Sequence, residues 1–282
     1  MDSTTISSLL EMILANPVEL AMTLTIGGFI GLVLGTTGVG GGVLIIPILR
    51  SVFHMNPVLA VGTASICAAL MKVNAAFLHI KMGNIDWKKS LLMLSGAAPA
   101  TYLTTSAIVS LSQNPQSADM IENAVSYLII AVIAFSLAAM LYKDIKPKSE
   151  AAQGGGTGAD SSLNPAVPVL AGTVSGMIIG ATGVGGGVLL MPILTVLLKV
   201  KVKQAVGSSI VIALLLSGLS AFTYSGGGQA DMSIAILLII GSLAGVPVAG
   251  KIISFISDRA LHRATLCLIT LSALMMLSSS LS

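Results

Sequence analysis

Thr37, Gly38, Gly40, Gly41 and Gly42 stand inside the stretch GTTGVGGGVLIIPIL (residues 35–49), and Thr182, Gly183, Gly185, Gly186 and Gly187 stand inside GATGVGGGVLLMPIL (residues 180–194). In the first copy, five of the eight residues from Gly35 to Gly42 are glycine, and each costs a helix about 1 kcal/mol relative to alanine. Each stretch therefore breaks one helix and starts another, at about Val43 or Val188. A helix start leaves its first backbone N–H groups without intrahelical partners and carries partial positive charge. Glycines ahead of it let a ligand come close to the backbone. Two such starts facing one cavity would hold an anion without any charged side chain. The other use of the same glycines is tight packing of helices in a membrane.

Hydroxyl groups could supplement such a site. Thr37 and Thr182 belong to the motif copies; Thr63 and Ser65 follow AVG at 60–62, and Ser208 and Ser209 follow AVG at 205–207. Each could donate to an oxyanion oxygen or to a carbonyl one turn back. Lys72 lies inside an apolar segment, with Asn74 two residues on and only Ser217 as its counterpart in the second motif-bearing half. A cation at such a place is a functional candidate by default, although its stem could also snorkel toward the inner end. None of the eleven acidic residues lies deep in an apolar segment, and His54, His79 and His262 lie at segment ends. Divalent-cation transport and carboxylate proton relays want an embedded acid, so no metal and no cofactor is expected. HExxH, GxSxG and a Walker lysine are missing, and no strand precedes GVGGGV as a dinucleotide fold requires. Enzyme chemistry is not expected, and basic clusters suited to nucleic acid are lacking.

The elements that must position these residues are membrane helices. The chain has 282 residues, of which 55% are hydrophobic and 9% charged, with a mean hydropathy of +0.98; a soluble domain has roughly 25% charged residues. The apolar runs are continuous, without the alternation of a barrel. Those at 59–80, 87–110, 124–141, 205–224, 234–256 and 261–280 read as spans. Asn56-Pro57 gives a cap followed by proline at the first helical position, and Asp86 and Asp231 stand where N-caps belong. The segments flanking the glycines are too short to cross. At ~1.5 Å per residue, 20–35 reaches about 24 Å and 42–53 about 18 Å, against a hydrocarbon core of roughly 30 Å. In the second copy, 167–180 and 188–198 are shorter still. Each pair is expected to form a hairpin of half-helices turning inside the membrane, where irregular backbone survives only if packed in protein or lining a wet cavity. Cys67 and Cys267 read as inert buried thiols. Residues 1–16 lack a basic n-region, and Glu11 interrupts their apolar run, so no cleavable signal peptide is expected.

The motif belongs to a longer repeat. At a constant offset of 145 residues, Gly31 pairs with Gly176, Pro47 with Pro192, Gly83 with Gly228, Asp86 with Asp231 and Gly96 with Gly241. The chain divides into a first transmembrane repeat (1–142), a Gly/Ser-rich linker (143–166) and a second repeat (167–282). If each half is a hairpin plus three spans and the N-terminus is outside, the inner loops hold Lys81, Lys88, Lys89, Lys143, Lys146, Lys148, Lys199, Lys201, Lys203, Arg259 and Arg263, and the outer loops hold only Arg50. If each glycine break were a single crossing, the halves would be parallel and these charges would divide almost evenly. The positive-inside rule favours inverted halves, with both termini outside and the linker cytoplasmic. The expected fold class is an all-α polytopic membrane protein of two inverted-topology repeats, each a broken-helix hairpin plus three transmembrane helices. Broken helices at corresponding places in inverted repeats point to a transporter with its site near the midplane.

The two glycine motifs, together with AVGTAS, AVGSS and GNIDWKK, make the chain resemble the sulfite exporter TauE/SafE family, also called the toluene sulfonate uptake permeases. The resemblance covers nearly all of the chain outside the linker. It implies a multi-pass carrier in the cell (inner) membrane for small sulfur-containing anions such as sulfite, thiosulfate or organosulfonates. The expected partners are that anion and the lipid bilayer, with no nucleic acid; association into a homo-oligomer is left open. An inside-negative potential favours anion exit by about 2.3 kcal/mol per charge per 100 mV, and no embedded acid is at hand to carry a coupling proton. Export is therefore the favoured direction. The alternatives are an uptake permease for the same anions and a non-transporting membrane assembly factor that uses the hairpins for packing.

Overall fold

A computed structural model describes residues 17–37, 42–145, 165–184, 187–253 and 258–281. Gly38, Gly40, Gly41, Gly185 and Gly186, with residues 1–16 and most of the linker, lie outside the described residues. The described elements are helical: α1 (Pro17–Thr37), α2 (Gly42–Ser51), α3 (Pro57–Lys81), α4 (Trp87–Ser112), α5 (Ala118–Ile145), α6 (Ala166–Thr182), α7 (Gly187–Pro192), a π-helical turn (Ile193–Leu197), α8 (Val202–Gly226), α9 (Met232–Ile253) and α10 (Asp258–Leu281). Among them, Pro57–Lys81, Trp87–Ser112, Ala118–Ala138, Val202–Gly226 and Met232–Ala249 are long and apolar enough to cross a membrane. Within α10, Leu266–Leu277 is apolar. Gly42–Ser51 and Ala166–Thr182 are short apolar helices, and each abuts a glycine break.

Local chemistry sets the boundaries. Asn56 Oδ1 accepts from the Leu59 amide at 2.7 Å, with Pro57 at the first position of α3. Asp86 Oδ1 accepts from the Lys89 amide at 3.1 Å and Asp231 Oδ1 from the Ile234 amide at 3.0 Å, starting α4 and α9. The outer surface is apolar: Phe77 is 68% exposed and Phe222, 145 residues on, is 77% exposed. Such a surface suits lipid rather than water. Cys67 is buried, whereas Cys267 is exposed and so departs from the expected buried thiol. Its helix presents that position outward.

The repeat extends to backbone detail. His54 and Lys199 each have φ of 51°, a left-handed conformation uncommon outside glycine. The Met55 amide donates to Leu49 O at 3.1 Å, and the Val200 amide to Leu194 O at 2.8 Å. One departure stands out. Leu198 N donates to Ile193 O at 2.9 Å across a π turn, while at the equivalent place Val52 N donates to Ile48 O at 2.9 Å in the α pattern. Pro47 and Pro192 occupy matching positions, so proline alone does not set this difference.

Packing between the halves is reciprocal: α1 lies beside α9, α6 beside α4, and α3 against α8. Gly27 abuts Leu238 and Gly31 abuts Ser242, where added methyls would lie 2.9 Å and 2.6 Å from the facing Cα atoms. Gly172 abuts Met93 and Gly176 abuts Ala97 in the same manner. In both pairs the residue numbers rise together, so the helices are parallel, and small residues let the backbones approach. In contrast, Gly62 near the start of α3 meets Tyr224 near the end of α8 and Gln229 just beyond it, while Gly207 near the start of α8 meets His79 near the end of α3 and Asn84 just beyond it. Helices α3 and α8 are therefore antiparallel. Helix α2 is sealed inside the bundle, with Val43, Ile45, Ile46 and Leu49 wholly buried.

Candidate functional site

The two motif copies meet in the interior. Helix α6 ends at Gly183, whose φ of 60° is left-handed and whose amide donates to Ile179 O at 2.8 Å. Thr182 Oγ1 donates to Ile178 O at 2.6 Å and accepts from the Val184 amide at 3.3 Å, fixing the turn that follows. A methyl on Gly183 would lie 3.0 Å from Val61 O and 3.1 Å from Ser65 Oγ, so the turn rests directly on α3. Against the other side of this turn lies Gly42, the first residue of α2: a methyl there would come 2.5 Å from Gly183 O. The amide-bearing start of α2 thus opens at the buried junction of the two breaks, where its partial charge is least screened. Tyr224 Oη, wholly buried on α8, donates to Gly180 O at 2.9 Å and ties the last turn of α6 in place. Thr101 Oγ1 on α4 donates to Gly176 O at 3.0 Å from the opposite side.

The structure places the candidate residues as follows. Gly42, Thr182, Gly183 and Ser65 come together at the junction; Ser65 Oγ donates to Val61 O at 2.8 Å. Ser209 Oγ donates to Val206 O at 2.8 Å. Thr63 and Ser208 lie elsewhere and are engaged across the halves. Thr63 Oγ1 donates to Leu59 O at 2.8 Å and accepts from the Asp231 amide at 2.9 Å. Ser208 Oγ accepts from the Asp86 amide at 3.0 Å, the matching bond at the other end of the molecule. Thr37 closes α1 and Gly187 opens α7. Gly38, Gly40, Gly41, Gly185 and Gly186 lie outside the described residues. Lys72 sits on α3 beyond Ser65, its ammonium donating to Ala68 O at 3.0 Å.

Sequence reasoning missed Tyr224, and it missed Ser220, whose hydroxyl is buried on α8 without a hydrogen-bond partner, as is that of Ser217. Serines three apart in an otherwise apolar span are the signal that could have found the pair, since they share one helix face. Near the start of α4, Lys89 Nζ donates to Leu198 O at 2.9 Å while standing 3.8 Å from Asp86 Oδ2. A cation at the carbonyl end of a helix is favourably placed. Among the described residues, no cluster of His, Cys, Asp or Glu is suited to a metal ion. The junction brings together the Gly42 start of α2, the Gly183 turn and the hydroxyls of Ser65 and Thr182.

A family model described as sulfite exporter TauE/SafE matches residues 23–276. The probable membrane transporter protein YjnA of Bacillus subtilis is 28% identical over 254 residues, covering 88% of this chain and 96% of the relative. A probable membrane transporter protein of Haemophilus influenzae is 28% identical over 220 residues, covering 74% and 75%. One of Methanocaldococcus jannaschii is 26% identical over 198 residues, covering 68% and 67%. No solved structure matches the chain. With a matched region that takes in both glycine breaks and the helices between them, the chain belongs to the TauE/SafE sulfite exporter family of membrane transporters.

Proposed function

We propose that the protein carries small sulfur-containing oxyanions, of the sulfite, thiosulfate or organosulfonate type, outward across the cell (inner) membrane, without chemical conversion. The observation that carries this reading is the seating of Gly42 on Gly183, which brings the start of α2 to the turn that ends α6. The anion is held there by backbone N–H groups at the start of α2 and at the turn that ends α6, with Ser65 and Thr182 nearby. The family's description as a sulfite exporter supports the substrate class. Export follows from the membrane potential, which drives anions out at about 2.3 kcal/mol per charge per 100 mV.

Two halves, 1–142 and 167–282, joined by a cytoplasmic linker, rock about this site. Their inversion is supported by the antiparallel course of α3 and α8 alongside the parallel pairs α1–α9 and α4–α6. Were each glycine break a full crossing, α3 and α8 would run in the same direction. The test is flux in liposomes holding the purified protein. Sulfite, thiosulfate or an organosulfonate should cross at least about tenfold faster than in empty vesicles, with no added potassium leak. Flux of none of these anions would overturn the proposal.

A further inference from the structure

Lys72, a cation within a span, has no salt-bridge partner among the described residues. No Asp or Glu occurs in α3, or in α2, α4, α8 and α9, which pack against it. Helix α5, which also touches α3, carries its acids toward its ends, at Asp119, Glu122 and Asp144. The ammonium has three donors, and Ala68 O takes one of them.

The facing helix completes the picture. Contacts at both ends of the antiparallel pair, Gly62 with Tyr224 and Gln229, and Gly207 with His79 and Asn84, set the register of α3 against α8. Equal distances from the two ends bring Lys72 level with Ser217, its equivalent in the second half. Ser220 lies one turn further along α8, level with Ala68. Ser217 is 2% exposed and Ser220 0%, and neither hydroxyl has a hydrogen-bond partner. A buried serine in a helix ordinarily donates to a carbonyl one turn back, as Ser65 does on α3. Ser217 and Ser220 do not. Buried hydroxyls without partners are costly, and so is a part-buried charge without a counter-charge. One ligand would relieve both: an anion whose oxygens accept from the ammonium and from the two hydroxyls.

We propose that Lys72, Ser217 and Ser220 form a second anion subsite, separate from the glycine junction. It lies two helical turns along α3 from Ser65, about 10 Å at ~1.5 Å per residue. Its three donor groups match a group presenting three oxygens from one centre, as the –SO3 end of a sulfonate or sulfite does. The inference rests on the anion-transport reading above, and it adds a place where the permeating anion pauses.

The test is calorimetric titration of sulfite and thiosulfate into the full-length protein in nanodiscs. Lys72→Met should weaken binding about tenfold or more, and the double variant Ser217→Ala/Ser220→Ala, which removes only hydroxyls and favours the helix, about three- to tenfold. The exchange variant Lys72→Ser/Ser217→Lys returns one lysine to the same level from the other helix, and should recover affinity to within about threefold of the original. Unchanged affinity in Lys72→Met or in the double serine variant would overturn the subsite, as would failure of the exchange variant to recover binding that Lys72→Met has lost. If those variants bind normally while Gly183→Ala does not, the subsite falls and the transport reading stands. If the unaltered protein binds neither anion, both fall.

Discussion

Gly183 carries two demands at once, a left-handed backbone and a close approach to α3. An alanine there would meet Val61 O at 3.0 Å and Ser65 Oγ at 3.1 Å while holding φ at 60°. The conformational cost alone is about 1–2 kcal/mol. Gly183→Ala should lower the melting temperature of the purified protein by several degrees and reduce anion flux further than that loss explains, because the start of α2 rests on the same turn. Tyr224 makes a different contribution. Tyr224→Phe removes the bond from α8 to Gly180 O, and leaving a buried carbonyl short of its donor costs about 1–3 kcal/mol. Its melting temperature should fall, whereas Tyr102→Phe, at a residue 51% exposed, should leave it unchanged. Equal melting temperatures for the two variants would show that the Tyr224 hydroxyl is not a tether.

At the scale of the element, helix starts are joined in crossed pairs. Each of Asp86 and Asp231 caps its own helix through its carboxylate, while its amide donates to a hydroxyl of the other half, Ser208 or Thr63. Thr63→Val and Ser208→Ala should each destabilise the protein by about 1–3 kcal/mol. The two bonds lie toward opposite ends of the α3–α8 pair, far beyond the roughly 10 Å past which effects add. The double variant in a denaturation series should therefore lose the sum of the single losses; a marked shortfall would mean that the bonds are not independent. The caps were legible in the sequence because Asn56, Asp86 and Asp231 act on amides three residues away. The helix breaks were legible for the same reason, since glycine acts on its own backbone. The destinations of the Thr63 and Ser208 hydroxyls were not, because their partners lie 168 and 122 residues away in the chain. Nor was the π turn at Ile193–Leu197, which follows a segment nearly identical to its α-helical equivalent.

For the whole molecule, the charge pattern and the helix directions bear on one question, the sidedness of equivalent loops. Replacing Cys67 and Cys267 and then placing single cysteines in the loops would read it directly. Cysteines within 81–89 and 199–203 should be protected from an impermeant thiol reagent added outside, while cysteines within 225–231 should react. Reaction of both 81–89 and 225–231 from one side would overturn the inverted arrangement. The lysine that stands level with Ser217 also marks the two halves as unequal. Two separate copies of one half, associated as these halves associate, would bear the same residue at both central positions. They would set two lysines face to face, repelling in a poorly screened interior, or two serines with no charge at all. A chain in which the two halves differ in sequence can carry lysine at one central position and serine at the other, as Lys72 and Ser217 do here.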